Sequence, residues 1–278
     1  MLFQKVNLEE GNDNVYLDAY IADKVEGFTR KAILVIPGGG YGQVCSEREG
    51  EPIAMAFLPY GYNAFVLHYS HAGNSSRTFP AQLIEASGAM KHIRDHAQEY
   101  NIDSEQVFVV GFSAGGHLAG SLGTMWHRKE VYDALDMPFG YNKPTGMMLI
   151  YPVVTGTEEF THSFTFCNLL GNQSPAKEQL ADCSLEKNVD EKSSPLFLVH
   201  TSTDQVVDVR NSLVLAGAYR QAGLQFEMHV YPDAPHGVAL GNRITRCGVD
   251  KWENSSIAKW VEHAASWAEE LQACSALN

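Results

Sequence analysis

Ser113 is the residue of this chain best placed for nucleophilic chemistry. It stands at the centre of Gly-Phe-Ser-Ala-Gly (111–115), after the apolar run 107–110 and before a stretch that favours a helix. A serine at a sharp strand-to-helix turn needs small flanking residues, and Gly111 and Gly115 meet that demand. The serine hydroxyl is a weak nucleophile that requires an adjacent base. The pattern therefore predicts a reactive serine, and with it a base, an acid and a set of N–H groups that bind an oxyanion.

His236 and Asp204 are the candidate base and acid. In chains of alternating strands and helices with this kind of serine turn, the order along the sequence is serine, acid, histidine. Asp204 follows the apolar run 196–200, and His236 lies in the loop after the run 226–231. Ligand-facing residues of open α/β sheets gather at the carboxyl ends of the strands. Both side chains are therefore expected to lie beside Ser113.

Two other aspartates remain alternatives for the acid. Asp208 could instead cap the following helix, and Asp233 sits in the loop of His236 itself. Asp204 is favoured because it lies nearest to the end of its strand.

Five other histidines are interpreted as structural or solvated rather than catalytic. The i, i+4 spacing of two of them could bind a metal, but no third ligand is evident, so no metal site is expected. These histidines are His68, His71, His92, His96 and His117, of which His92 and His96 form the spaced pair.

The glycine-rich segment 37–41 could supply the oxyanion donors. It has the sequence Pro-Gly-Gly-Gly-Tyr and follows the apolar run 32–36. The alternative is a turn that needs positive φ angles and binds no ligand. Just after it, Ser46 and Glu49 have the spacing of a capping box, which predicts a helix start there. That structural interpretation competes with a substrate-binding role for Arg48.

Strand and helix patterns alternate along most of the chain, which favours an α/β fold with a mostly parallel sheet of about eight strands and helices on both faces. An antiparallel N-terminal hairpin is expected from residues 3–8 and 15–21. Further strands are predicted at 32–36, 64–68, 107–110, 147–151, 196–200 and 226–231, and helices at 80–100, 114–127, 209–222 and 256–271.

One domain over residues 1–278 is the expected organisation. Residues 155–194 form a longer, irregular insertion that is a candidate small lid. Its phenylalanines and leucines could contact substrate, but pinning a long loop to the core is the favoured interpretation.

Composition limits the class of protein. The 278 residues carry 20 basic and 33 acidic side chains, a net charge of −13, which argues against a nucleic-acid surface. The sequence has no run long enough to span a membrane and begins without an apolar leader, so we expect a cytoplasmic protein. Five scattered cysteines indicate reduced thiols. No cofactor is expected.

The chain resembles the α/β-hydrolase superfamily, and within it the esterase/lipase group related to hormone-sensitive lipase, including the acetyl-esterase branch. Residues 37–41 stand where many relatives have His-Gly-Gly-Gly, and residues 111–119 are similar to their nucleophile segment. Pro37 departs from the commoner histidine, which argues for a sub-branch with its own acyl or alcohol preference.

The resemblance implies a fold, an activity and a set of site residues. The fold would be the α/β-hydrolase fold, and the activity that of a serine carboxylesterase acting on small, short-chain acyl esters, with acetyl esters of sugars as candidates. An amidase resembling kynurenine formamidase and a non-catalytic ligand receptor are the alternatives, and a homodimer is a weak expectation. The implied triad is Ser113, Asp204 and His236, and the implied oxyanion donors are the N–H groups of Gly39, Gly40 and Ala114.

Overall fold

An eight-stranded, mostly parallel sheet forms the centre of the molecule. The computed structural model describes residues 1–275, with side chains for residues 1–271. The spatial strand order is β1-β2-β4-β3-β5-β6-β7-β8, in which β1 pairs with β2 and β2 with β4 antiparallel, and the other neighbours are parallel. The strands are β1 (Leu2–Asn7), β2 (Tyr16–Ile21), β3 (Arg30–Ile36), β4 (Tyr62–His68), β5 (Ile102–Phe112), β6 (Met147–Ile150), β7 (Leu196–Thr201) and β8 (Phe226–Tyr231). The predicted sheet, with its antiparallel N-terminal hairpin, is confirmed.

The sheet separates two hydrophobic cores. Successive strand side chains point to opposite faces, so Leu34 and Ile36 of β3 enter one core while Ile33 and Val35 enter the other. Both faces are covered by helices, which is why the parallel strands read as continuous apolar runs.

The helices largely follow the predicted segments, with differences at their boundaries. The segment predicted at 80–100 divides at His96 into two helices, and the one predicted at 256–271 starts with a short 3-10 turn, Ile257–Lys259. The helices are α1 (Ser46–Glu49), α2 (Glu51–Phe57), α3 (Ala81–Asp95), α4 (Ala97–Tyr100), α5 (Ser113–Thr124), α6 (Lys129–Ala134), α7 (Ser163–Leu170), α8 (Lys177–Cys183), α9 (Arg210–Gln221) and α10 (Trp260–Ser275). No helix within residues 1–275 has the length and apolarity to cross a bilayer.

The segment 155–194 is more regular than expected, because it contains α7 and α8. Phe166 and Leu169 are buried in the core, so these side chains pin the segment as expected. Phe164 points outward instead and is 61% exposed.

The predicted helix after the glycine-rich segment is present, but the capping box is wrong. Ser46 is the first residue of α1 rather than its N-cap, which is Cys45, and no side chain caps this helix end. The Glu49 carboxylate is instead buried and hydrogen-bonded to two other segments of the chain.

Four cysteines are free thiols in the structure, namely Cys45, Cys167, Cys183 and Cys247. The expectation for Cys274 concerns a side chain outside the described residues.

Candidate active site

Ser113 occupies a strained turn between β5 and α5. It is the first residue of α5 and has a φ of 53°, a left-handed conformation that is uncommon for a residue with a side chain. A Cβ at Gly115 would lie 2.2 Å from the Ile36 carbonyl oxygen, and one at Gly111 would lie 2.2 Å from the Gly115 carbonyl oxygen. Neither position has space for a side chain. The close packing of this turn therefore explains the two glycines that mark it in the sequence.

Ser113, His236 and Asp204 form a hydrogen-bonded line. The Ser113 hydroxyl donates to His236 Nε2 at 2.9 Å, and His236 Nδ1–H donates to Asp204 Oδ2 at 2.7 Å. The loops after β7 and β8 carry the acid and the histidine, because these adjacent parallel strands end at the same edge of the sheet. The line runs from a fully buried carboxylate to a histidine that is 14% exposed. This is the arrangement in which a histidine can accept a serine proton.

The surroundings of Asp204 keep its carboxylate ionised. Burial by itself raises the pKa of Asp204, but the nearby His200, the hydrogen bond from His236 and the Val207 N–H together hold the pKa below its usual value. Oδ1 accepts the N–H groups of Val206 and Val207, both at 2.9 Å. An ionised Oδ2 then keeps the His236 proton on Nδ1, so that Nε2 is free to act as the acceptor.

The two alternative acids lie elsewhere. Asp208 accepts the Arg210 N–H at the start of α9 and forms an ion pair with the Arg210 side chain. Asp233 accepts the Thr203 hydroxyl at 3.2 Å in an exposed position. Asp204 is thus the aspartate that the fold brings to His236.

The glycine-rich loop approaches Ser113 at Gly38, where a Cβ would lie 3.0 Å from the Ser113 Cβ. Gly39 and Gly40 have φ angles of 131° and 63°. Among the described residues, neither donates its N–H to an acceptor, whereas the Gly38 N–H is bound to Glu49 Oε2. Ala114 is the second residue of α5, where a helix leaves its N–H groups without intrahelical partners. All three residues predicted as oxyanion donors therefore have N–H groups available for a ligand.

Comparisons with known proteins identify the family and the fold of the chain. The BD-FAE family model matches residues 17–219. The chain belongs to the BD-FAE family. A solved acetyl ester-xyloside bifunctional hydrolase from Caldicellulosiruptor lactoaceticus is 31% identical with a TM-score of 0.81, over 97% of this chain and 96% of that one. The sheet order and the structural neighbours give the chain the α/β-hydrolase fold expected from its sequence.

Two longer proteins are similar over most of this BD-FAE chain. The endo-1,4-beta-xylanase B of Butyrivibrio fibrisolvens is 40% identical over 215 residues, which are 77% of this chain and 33% of that protein. The acetylxylan esterase of Xylanibacter ruminicola is 28% identical over 214 residues, 76% of this chain and 42% of that protein. The chain thus spans less than half the length of these curated relatives.

His117 of this BD-FAE family member is structural, as the sequence suggested. It is fully buried, accepts the Tyr41 hydroxyl at Nδ1 (2.9 Å) and donates from Nε2 to the Cys183 carbonyl at 2.7 Å. Burial lowers its pKa to about 4, so the ring is neutral near pH 7. It links the glycine-rich loop at Tyr41 to the end of α8.

The paired histidines His92 and His96 stack on each other at 4.0 Å, and His92 Nε2 hydrogen-bonds to the Tyr100 hydroxyl at 2.9 Å. Within residues 1–271, no group of three or more His, Cys, Asp or Glu side chains is arranged to hold a metal ion.

Residues of α7 and the turn before it form the rim of the site. A Cβ at Gly40 would lie 3.0 Å from the Phe164 ring, and Asn168 donates to the Gly40 carbonyl oxygen at 2.9 Å. Burial lowers the pKa of His162, and the nearby His236 lowers it further. The rim therefore lies directly over the glycine-rich loop.

Sequence reasoning missed two residues of this site. Glu49 was interpreted as part of a capping box, and Tyr151 as the end of a strand. In the structure the Tyr151 hydroxyl donates to Glu49 Oε1 at 2.9 Å, and the Tyr151 ring packs against the imidazole of His236 with centroids 4.8 Å apart. No local signal distinguishes Glu49, because Glu47, Arg48 and Glu51 surround it in the sequence.

Proposed function

We propose that this chain is a serine carboxylesterase that hydrolyses short acyl esters, including acetyl esters of sugars. The observation that carries the proposal is the continuous hydrogen-bonded line from Asp204 through His236 to Ser113, next to a glycine-rich loop with available N–H groups. The matching family and the names of the relatives support an ester substrate.

The reaction would proceed in two halves. His236 Nε2 accepts the Ser113 proton as the serine oxygen attacks the ester carbonyl, and the resulting oxyanion is bound by the N–H groups of Gly39, Gly40 and Ala114. The protonated histidine then gives its proton to the departing alcohol, which leaves an acyl-serine. A water molecule, deprotonated by His236, attacks this acyl-enzyme and releases the acid and the free serine.

Short acyl groups are favoured by the rim. Phe164 lies over Gly40, where the acyl carbonyl would bind, and so limits the space on that side. We propose that residues 155–194 wall the site as a small lid within a single domain, since α7 contacts the glycine-rich loop through Phe164 and Asn168.

The alcohol part of the substrate would have more space than the acyl part, which Phe164 limits. A cleft of about 780 Å³ adjoins His236. Polar groups and one aromatic ring line it, among them Gln205, Lys251, Trp252 and Asn254. Hydroxyl-rich groups such as sugars suit such a mixed surface, and the relatives whose names include xylan and xyloside agree with this substrate class.

Hydrolysis of p-nitrophenyl esters from acetyl to decanoyl, by the wild type and by Ser113→Ala, tests the proposal. We expect turnover to peak from acetyl to butyryl and to be lost in Ser113→Ala at equal folded fraction. Faster turnover of an N-formyl amide than of any ester would favour an amidase. Ester turnover that survives in folded Ser113→Ala would disprove the proposed mechanism.

A further inference from the structure

We propose that Glu49 is a positioning residue that couples the glycine-rich segment 37–41, here called the oxyanion loop, to the loop of His236 through Tyr151. The inference rests on the proposed function, because it concerns the same site. It assigns a role to a buried carboxylate that the proposed mechanism leaves unused.

Each carboxylate oxygen of Glu49 holds a different part of the site. Oε2 accepts the Gly38 N–H at 2.8 Å, and Oε1 accepts the Tyr151 hydroxyl at 2.9 Å. Glu49 is only 2% exposed, so both bonds form away from water, where an unsatisfied charge would be costly. A Cβ at Gly38 would lie 2.9 Å from Glu49 Oε2 and 3.0 Å from Ser113 Cβ, which places the carboxylate close to the serine.

Tyr151 carries the link onward to the histidine. Its oxygen accepts the Ala239 N–H at 2.9 Å, and its ring packs against His236 at an interplanar angle of 64°. Burial raises the pKa of Tyr151 well above its ordinary value, and the negative charge of Glu49 raises it further. The phenol therefore keeps its proton and donates a hydrogen bond to Glu49.

Backbone strain at both ends of this link supports a positioning role. Tyr151 and Ala239 have φ angles of 39° and 52°, in the left-handed region that residues with side chains seldom adopt. Such conformations cost about 1–3 kcal/mol each and persist only where neighbouring contacts enforce them. The hydrogen bond between these two residues, anchored by Glu49, provides such contacts beside His236.

A parallel contact joins the same two loops. Arg48, the neighbour of Glu49, donates to the Gly237 carbonyl oxygen at 2.7 Å, and its guanidinium lies 4.3 Å from the Trp252 ring centroid. The dipeptide 48–49 therefore contacts the oxyanion loop through Glu49. Through Arg48 it contacts the loop of His236 at Gly237, and also the Trp252 ring.

The link requires a carboxylate rather than an amide at position 49. A glutamine could accept the Gly38 N–H, but its amide N–H₂ would then face the Tyr151 hydroxyl. The phenol oxygen would receive two donors while its own proton lost its acceptor. Glu49→Gln is therefore nearly isosteric and yet disconnects the oxyanion loop from Tyr151.

The test compares Glu49→Gln, Tyr151→Phe and the double variant in p-nitrophenyl acetate hydrolysis, with melting temperatures measured in parallel. Because misplaced oxyanion donors and a misplaced base weaken transition-state contacts, we expect kcat to fall by about 10- to 100-fold while KM changes by less than about threefold. Since both single changes break the same link, the double variant should lose no more than Glu49→Gln alone, within about threefold.

Glu85→Gln is the matched control. Glu85 is also a buried glutamate whose Oε2 accepts a backbone N–H, that of Ser70 at 2.8 Å, and it makes no contact with Ser113 or His236. We expect this variant to lose stability but to keep its kcat when folded.

Three results from Glu49→Gln and the double variant would overturn the inference: a folded Glu49→Gln with kcat within threefold of wild type, a loss of kcat that only tracks the folded fraction, or fully additive effects in the double variant. Tyr151→Phe removes one oxygen atom and decides the question if Glu49→Gln does not fold, because wild-type kcat in Tyr151→Phe would also refute the link. Activity that does not depend on Ser113 would instead reject the proposed function itself.

Discussion

Asp204→Asn distinguishes Asp204 from the two alternative acids, Asp208 and Asp233. The hydrogen bonds around Asp204 determine the effect of the substitution. Two N–H groups, from Val206 and Val207, point at Oδ1 from 2.9 Å. The amide oxygen of asparagine must therefore stay at that position, and its N–H₂ group takes the place of Oδ2, 2.7 Å from His236 Nδ1. Nδ1 then has to accept a hydrogen bond, so the ring proton moves to Nε2.

This change of tautomer removes the base. Nε2 lies 2.9 Å from the Ser113 hydroxyl, and once it carries the proton it can no longer accept one from the serine. In a related triad the corresponding exchange lowers kcat by about 10⁴, which corresponds to about 5 kcal/mol of transition-state stabilisation. We expect a loss of this size, with KM changed far less.

The assay is p-nitrophenyl acetate hydrolysis at pH 7, with circular dichroism and melting curves to establish that each variant is folded. Asp208→Asn and Asp233→Asn are matched controls, because both aspartates lie within a few residues of the triad and contact other groups. The reasoning fails if Asp204→Asn keeps kcat within tenfold of wild type, or if either control loses as much activity.

Three further predictions concern packing, pH and the rim. Gly115→Ala should prevent stable folding or cost more than about 3 kcal/mol, since its Cβ would lie 2.2 Å from a backbone oxygen, whereas Gly217→Ala on the open face of α9 should stabilise by about 0.5–1 kcal/mol in denaturant titrations. Burial lowers the folded pKa of His117 to about 4, below an unfolded value of about 6.5, so the unfolded chain binds the proton first. His117 should therefore remove about 2 kcal/mol of stability between pH 7 and pH 5, and an equal pH dependence in folded His117→Gln would contradict this. Phe164→Ala should move the best p-nitrophenyl ester toward longer acyl chains, because the ring covers Gly40; an unchanged chain-length profile would show that Phe164 does not bound the acyl site.

The sequence predicted those features that depend on local patterns. The parallel strands appear as apolar runs because both their faces are buried. The turn at Ser113 is marked by glycines because a Cβ at 111 or 115 has no space. Asp204 and His236 could be placed because each follows its strand directly, so the topology alone brings them to one edge of the sheet. Their catalytic roles remain predictions.

The features that escaped prediction depend on contacts between distant segments. Glu49 and Tyr151 are 102 residues apart in the sequence, and no local pattern around either residue indicates their contact. The division of the predicted helix at His96 also has no proline or glycine to mark it; His96 instead bonds back to the His92 carbonyl oxygen. Helix α7 was missed because its apolar residues face both ways: Phe164 is exposed at the site rim, whereas Phe166 and Leu169 are buried in the core.

Covalent labelling tests the central claim most directly. Diethyl p-nitrophenyl phosphate reacts with an activated serine and should place one diethylphosphoryl group on Ser113, located by peptide mass spectrometry, with loss of p-nitrophenyl acetate hydrolysis in proportion to labelling. Folded Ser113→Ala should take up no label and show no turnover. Labelling at another residue together with loss of activity, or hydrolysis that persists in Ser113→Ala, would contradict the assignment of Ser113 as the nucleophile.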